Sequence, residues 1–167
     1  LANRVFPLDR FLDEAIALRT FIDGELPKRA VIIGGGYIGM EMADALRSRE
    51  LDVTLLHNSS LPMRRLERET REKVREELER HGVTFIGQAR TEGFVMGKDQ
   101  KVTHVITDQG GFEADVVIIA IGVEPNVDLA REAGIALGTW GGILTDQRQV
   151  TSMDSILAAG DCCEVRN

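Results

Sequence analysis

The sequence predicts a three-layer α/β fold, with helices around a central parallel sheet and a small antiparallel β-meander beside it. Two continuously apolar runs, at Arg29–Ile33 and at 116–121, are typical of parallel strands buried on both faces. The segments between them alternate between helical and strand spacing, as expected of βαβ units. Residues 88–114 differ, because short alternating runs are separated there by turn sequences at 97–100 and 108–111.

Each element follows from local spacing and from the residues that end it. Apolar residues at helical spacing between Asp9 and Glu25, followed by Pro27, predict a leading helix. The segment 66–81 has few apolar residues, so we expect an outer helix that ends at Gly82. In chain order, the expected elements are the leading helix, a strand at 29–33, a helix at 38–49, a strand at 52–57, the outer helix at 66–81, a strand at 83–86, the meander at 88–114, and buried strands at 116–121 and 156–159.

Length and composition favour one folded unit that binds a small molecule. The chain has 167 residues, 43% hydrophobic and 28% charged, and no apolar run approaches the length that spans a membrane. A net charge of −7 disfavours binding to nucleic acid. The only cysteines, Cys162 and Cys163, are adjacent, which is neither a disulfide framework nor a metal-ligand spacing. We therefore expect no metal site, no membrane association and a reducing, cytoplasmic location.

A glycine fingerprint, Gly34–Gly39, lies between the first buried strand and the helix that follows it. It matches G-x-G-x-x-G, in which the first glycine makes a tight turn and the second lets a pyrophosphate approach the backbone. The third, Gly39, allows helix and strand to pack closely, and the helix N-terminus offers N–H groups to a diphosphate. The sequence therefore predicts a Rossmann-like site for a dinucleotide such as NAD(P)H. A glycine turn without a ligand is the alternative.

The residue that normally binds the adenine ribose is replaced here. The fingerprint predicts an acid about 20 residues further on, at the end of the second strand. This chain has His57 there, and residues 53–66 contain no carboxylate. The polar residues of that segment, which suit a 2′-phosphate better than ribose hydroxyls, are His57, Asn58, Ser59, Ser60, Arg64 and Arg65. We hypothesise that NADPH binds at least as well as NADH, with Arg64 the main phosphate partner and His57 contributing when protonated; an ordinary solvated loop is the alternative.

Four blocks of the sequence resemble the pyridine nucleotide-disulfide oxidoreductases, in particular the branch of coenzyme A disulfide reductases and NADH oxidases. The blocks, in family order, are Val5-Phe6 with 15–19, Gly34–Ala43, Ala120–Asn126 and Thr151–Asp161. The resemblance implies a FAD-dependent NAD(P)H oxidoreductase that passes hydride from the nicotinamide to flavin and electrons onward to a disulfide, a polysulfide or oxygen. It also implies a flavin domain, a redox cysteine and a dimerisation domain outside residues 1–167, a homodimeric full-length enzyme and a fragment that is inactive alone.

The resemblance also assigns roles to individual residues. Tyr37 is similar to an aromatic gate over the nicotinamide pocket, and Glu41 to a carboxylate near the carboxamide and the flavin edge. Gly122 resembles a glycine against the nicotinamide, and Asp161 an aspartate that binds the flavin ribityl chain. Tyr37 could instead pack on the sheet, Glu41 could be a surface residue, and Asp161 could only cap the chain end. The candidate cofactor-binding residues are Gly34, Gly35, Gly36, Ile38, Gly39, His57, Asn58, Arg64, Ile121, Gly122 and Asp161.

The expected organisation has three segments. Residues 1–27 are a connector helix from the flavin domain, 28–145 the NAD(P)-binding domain, and 146–167 a return segment that contacts FAD in the intact enzyme. Because the chain begins at Leu1 without an initiator methionine, we interpret it as part of a longer protein. Two other functions stay open: a stand-alone NAD(P)-binding redox sensor, and a methyltransferase, which would need an acid at position 57 and has no use for the block 151–161.

Overall fold

The computed structural model describes residues 4–7 and 12–166. The start of the predicted leading helix, residues 9–11, lies outside this part. The strands are β1 (Val5–Pro7), β2 (Arg29–Ile33), β3 (Asp52–Leu56), β4 (Val83–Ile86), β5 (Thr91–Met96), β6 (Val102–Thr107), β7 (Gly110–Glu113), β8 (Val116–Ile119), β9 (Ile143–Thr145) and β10 (Cys163–Val165). The helices are α1 (Leu12–Glu25), α2 (Tyr37–Arg47), α3 (Arg68–Arg80) and α4 (Asp128–Glu132).

The central sheet is parallel and aligns the ends of its strands. Its order is β1-β8-β2-β3-β4, so β2 lies between β8 and β3. Ile33, the last residue of β2, pairs with both Leu56 and Ile119, which end β3 and β8. The segments that follow these three strands therefore emerge side by side at one edge, where ligands bind in open α/β sheets.

The two faces of the sheet are covered by different layers. Ala30 and Ile32 of β2 are buried in a cluster that includes Leu18 of α1 and Leu46 of α2. Val31 points the other way, into a second cluster with residues of the meander such as Val102 and Val105. Alternate residues of a strand face opposite sides, so a continuously apolar strand serves both layers. The predicted three-layer fold is confirmed.

The meander and the outer helix also agree with the sequence. Strands β5, β6 and β7 form a three-stranded antiparallel sheet within the predicted range 88–114. Helix α3 has no buried residue, as its sparse apolar stripe predicts. No helix among the described residues is long and apolar enough to cross a membrane.

The chain divides into two compact units, Leu1–Gly122 and Val123–Asn167. The second unit contains α4 and a parallel pair in which β10 lies beside β9. β9 ends at position 145, where the sequence predicts the end of the NAD(P)-binding segment, and it pairs with β10 of the predicted return segment. The functional assignment of the three segments stays a prediction.

The strand predicted at 156–159 is wrong. Ile156 closes a turn by donating its amide hydrogen to the Met153 carbonyl, and Leu157 makes only an isolated bridge with Val150. Leu157 is 66% exposed, whereas the residues of a strand buried on both faces are shielded from solvent. The physical reason is that a short apolar run does not fix its own conformation without neighbours on both sides.

Candidate functional site

The glycine turn is held tightly between the ends of β3 and β8. The Gly34 amide donates a hydrogen bond of 2.8 Å to the carbonyl of Leu56. Gly34 has φ +116°, and a Cβ built on it would collide with the carbonyl group of Ala120, coming within 2.7 Å of its carbon. Only glycine fits this position, because any other residue would have an unfavourable φ and its Cβ would collide with the backbone of Ala120.

Gly36 and Gly39 differ in what surrounds them. A Cβ at Gly39 would collide with the Gly34 carbonyl oxygen, so this glycine lets α2 pack onto the turn, as predicted. A Cβ at Gly36 would meet nothing within 4 Å, and φ −92° with ψ −169° is a conformation open to any residue. Neither packing nor backbone geometry in this structure requires a glycine at Gly36.

The open space at Gly36 lies at the N-terminus of α2. Gly36 is the N-cap and provides no side-chain hydrogen bond to the first turn. The first N–H groups of a helix have no partner within the helix and carry partial positive charge. These N–H donors suit a diphosphate, and because glycine has no side chain, the diphosphate can approach them closely. The residues present therefore suit the pyrophosphate of a dinucleotide.

His57 supports the glycine turn from the side. Its Nδ1 accepts a hydrogen bond of 3.1 Å from the Gly35 amide, and a Cβ at Gly35 would lie 2.9 Å from the His57 ring. Burial, and then the charges of Arg64 and Arg71, lower the pKa of His57. Because Nδ1 is occupied as an acceptor, the neutral ring carries its proton on Nε2. The lowered pKa and the hydrogen bond at Nδ1 favour a neutral ring that supports the turn. The hypothesis that His57 contributes to a phosphate when protonated stays a prediction.

Arg71 holds the loop that follows β3. Its guanidinium donates to the carbonyls of Pro62 and Leu61, both at 2.8 Å, and to the Ser59 hydroxyl at 3.0 Å. The amide of Met63 donates to the Gly35 carbonyl at 2.7 Å. The loop 58–66 is thus tied both to α3 and to the glycine turn.

Two exposed polar side chains of this loop contact each other. The Arg64 guanidinium donates to the Asn58 amide oxygen at 3.3 Å, and both residues are exposed. The adjacent Arg65 is exposed as well. With no carboxylate in residues 53–66, the loop presents donors and positive charge beside the glycine turn.

The remaining candidates of the first unit lie on α2 and after β8. Tyr37 is 63% exposed and shares a face of α2 with exposed Glu41, four residues on. Ile121 is 76% exposed directly after Ala120, the neighbour of Gly34. Gly122 follows with φ +127° and open space around it. These residues therefore border the turn as exposed groups, and Tyr37 does not pack on the sheet.

Two candidates have a different setting. Ile38 packs against the helix-side core, which leaves its backbone N–H, not its side chain, for a ligand. Asp161 is an exposed residue of the second unit, Val123–Asn167. The described residues contain no group of three or more His, Cys, Asp or Glu side chains that could hold a metal ion.

Sequence reasoning missed three residues that shape the site. Arg71 looks like any charged residue of an exposed helix, and the contacts of Met63 and Ala120 are made by backbone atoms. No sequence signal distinguishes Arg71 from the other basic residues of α3, because its hydrogen bonds to the carbonyls of Leu61 and Pro62 form only when the loop folds.

A model of the pyridine nucleotide-disulphide oxidoreductases matches residues 4–167. The chain belongs to this family. Its members use FAD together with nicotinamide dinucleotides, and the resemblance drawn from the four sequence blocks is confirmed. The chain is 35% identical over 158 residues to the NAD(P)H sulfur oxidoreductase (CoA-dependent) of Pyrococcus abyssi, covering 92% of this chain and 34% of that protein. It thus spans about a third of the length of this curated relative.

Solved structures of other family members share the fold. The reduced CoADR-RHD protein of Bacillus anthracis is 32% identical with a TM-score of 0.85, over 97% of this chain and 28% of that one. The water-forming NADH oxidase of Lactobacillus brevis, bound to NADH, is 30% identical with a TM-score of 0.81, over 96% and 34%. An engineered NADPH oxidase made from it, bound to NADPH, is 28% identical with a TM-score of 0.79, over 97% and 35%.

Proposed function

We propose that this chain binds NAD(P)H, and NADPH at least as well as NADH, and that it presents the nicotinamide for hydride transfer to FAD in a complete flavin-dependent oxidoreductase. The observation that carries this proposal is the open space at Gly36, in front of a helix N-terminus without a side-chain cap. A position that neither packing nor φ reserves for glycine is explained when a ligand occupies the space beside it.

The adenine end of the nucleotide would lie on the loop 58–66. In this orientation the 2′-phosphate meets Arg64 and Asn58, while Arg71 keeps the loop in place and His57 keeps the glycine turn in place. A hydrogen bond to a charged group contributes about 1.5–3 kcal/mol, and water at an exposed residue such as Arg64 reduces that value. An arginine contribution of about 1.4 kcal/mol, or tenfold in affinity, is a reasonable expectation.

The engineered oxidase supports this reading of the loop. Its five substitutions are Gly to Ala, Asp to Ala, Ala to Arg, Met to Ser and Pro to Arg, at successive intervals of 18, 1, 1 and 5 residues. Counted from Gly39, the same intervals reach His57, Asn58, Ser59 and Arg64. With Gly39 taken as the counterpart of the substituted glycine, His57 stands in place of the aspartate, and Ser59 and Arg64 match the serine and the second arginine of the NADPH-bound variant. Asn58 stands where that variant has its first arginine.

The nicotinamide end would extend towards Tyr37, Glu41, Ile121 and Gly122. From the family resemblance we infer that Tyr37 covers the nicotinamide pocket until the nucleotide enters, and its exposed ring at the start of α2 is compatible with this role. Glu41 would face the carboxamide, and the glycine backbone at Gly122 would allow close approach of the ring. FAD, when bound in the complete enzyme, accepts the hydride; Asp161 would contribute to holding its ribityl chain.

We base the proposed electron acceptor and the proposed assembly of the whole enzyme on the family. Relatives are named as sulfur, persulfide and oxygen-dependent oxidoreductases, which defines the class of acceptor that we propose. A flavin domain and a dimerisation domain in the same polypeptide, and a homodimer, complete this proposal.

Calorimetric titration of NADPH and NADH into the wild type, Arg64→Ala and Arg65→Ala tests the nucleotide site. We expect Arg64→Ala to weaken NADPH about tenfold and to leave NADH within about twofold, because only NADPH carries the 2′-phosphate. Arg65→Ala removes the same charge one residue away and serves as the matched control. A wild-type preference for NADH of tenfold or more, unchanged by Arg64→Ala, would show that the loop does not bind the phosphate.

A further inference from the structure

The two cysteines of the chain form a close pair of free thiols in the second unit. Cys162 and Cys163 are both partly exposed, and their sulfur atoms are 3.8 Å apart. They are the only cysteines in the sequence. The nucleotide site described above uses neither of them.

The backbone on both sides of the pair is fixed. The Cys162 carbonyl accepts a hydrogen bond of 2.7 Å from the Ile143 amide, and the Cys163 amide donates one of 3.1 Å to the Gly160 carbonyl. Cys163 is also the first residue of β10, in register with Ile143. The two thiols are therefore held close together before any ligand arrives, which lowers the cost of binding both at once.

The distance between the sulfurs suits a shared soft atom better than a disulfide. A disulfide needs sulfurs about 2.05 Å apart and Cα atoms about 4.4–6.8 Å apart, whereas neighbouring Cα atoms are only about 3.8 Å apart across a trans peptide. Two sulfurs on one shared metal or metalloid atom, each bonded at about 2.3 Å with a bond angle of about 90–110°, stand about 3.3–3.8 Å apart. The observed separation lies at the upper end of this range, so the thiols can reach a shared atom with a small inward movement.

The number of protein ligands near the two sulfurs decides which atom they could share. Structural zinc takes four protein ligands, and the described residues offer no cluster of three or more His, Cys, Asp and Glu side chains. A monosubstituted trivalent arsenical needs only two protein sulfurs, because carbon supplies its third bond. We propose that Cys162 and Cys163 form a dithiol site that chelates trivalent organoarsenicals.

The reaction with phenylarsine oxide balances without oxidant or reductant. Two arsenic–sulfur bonds form, the two S–H bonds break, and the arsenic-bound oxygen leaves with both protons as water. Burial, and then contact with Cys162, raise the pKa of Cys163, so the reaction starts from the protonated thiol. Arsenic stays trivalent throughout.

Intact-mass spectrometry of the 167-residue chain with phenylarsine oxide tests the site, since the two cysteines leave no other thiol to react. We expect one arsenical per chain, loss of both free thiols to a thiol reagent, and an adduct that persists against excess 2-mercaptoethanol but not against dimercaptopropanol. Cys162→Ser and Cys163→Ser should each release the arsenical at monothiol concentrations lower by about 100-fold, because chelation makes the second bond intramolecular.

Three results would overturn the proposal. They are two arsenicals per wild-type chain, an adduct joining two chains, and equal release from the wild type and both serine variants. Circular dichroism of the variants checks that serine, which is similar in size to cysteine, leaves the fold intact. The test does not involve nucleotide, so its outcome is independent of the proposed function.

Discussion

Two glycines of the same turn should lose very different amounts of unfolding free energy on substitution by alanine. At Gly34, alanine must adopt φ +116° and its Cβ must displace the Ala120 carbonyl group. Backbone strain of this kind costs about 1–3 kcal/mol, and overpacking adds about 1–3 kcal/mol. Gly34→Ala should therefore lose about 2–6 kcal/mol of unfolding free energy, a large part of the roughly 5–15 kcal/mol typical of a domain.

At Gly36, alanine finds open space and an ordinary φ. Gly36→Ala should change the unfolding free energy by less than about 1 kcal/mol, because the lower entropy of the unfolded chain and the poorer N-cap act in opposite directions. Urea denaturation followed by circular dichroism measures both variants. Equal urea midpoints for Gly34→Ala and Gly36→Ala would refute the claim that the fold requires a glycine at position 34 but not at position 36.

Three further predictions concern His57 and Arg71, which support the site, and the behaviour of the purified chain with nucleotide. Because its pKa is lowered in the fold, His57 favours the folded state most above about pH 6.5, the usual value, and that stability is lost as the pH falls towards the folded pKa. As the pH falls from about 6.5 to 5.5, the wild type should lose up to about 1.4 kcal/mol more unfolding free energy than His57→Asn, whose amide oxygen can still accept from Gly35; an equal loss in both proteins would contradict this. Arg71→Ala removes hydrogen bonds worth about 0.5–1.5 kcal/mol each, so hydrogen exchange at 58–66 should accelerate while β5–β7 stay protected, and unchanged exchange would show that Arg71 does not anchor the loop. The purified chain should bind NADPH without bound flavin and should not turn it over; a yellow sample, or steady oxidation without added flavin, is the opposing result.

The long periodic elements of this fold could be predicted from sequence. β2 and β3 are short apolar runs, which are ambiguous by themselves, but the amphipathic pattern of α2 and the glycine fingerprint before it identify the three elements as one βαβ unit. The short elements could not be predicted in this way. β1, β9 and β10 have three residues each and α4 has five, too few for a periodic pattern, and the strands exist because a neighbour pairs with them.

The site shows the same limit at the level of single side chains. The sequence reveals that His57 replaces an acid, and that the loop after it is rich in donors. It does not reveal that Nδ1 accepts from Gly35, or that burial lowers the pKa of the ring. Both depend on how the loop folds back on the turn, which is set by contacts of Met63 and Arg71.

The most direct test of the nucleotide site is to fill the space at Gly36. Valine there meets no atom within 4 Å of its Cβ and can adopt the same backbone conformation, so Gly36→Val should stay folded and lose only about 1 kcal/mol as a poorer N-cap. Gly93→Val, also in open space but on β5 of the meander, is the matched control. In calorimetric titration with NADPH, we predict at least about a 30-fold loss of affinity, or about 2 kcal/mol, for Gly36→Val and none for Gly93→Val. Wild-type affinity in a folded Gly36→Val would contradict a pyrophosphate site at the N-terminus of α2.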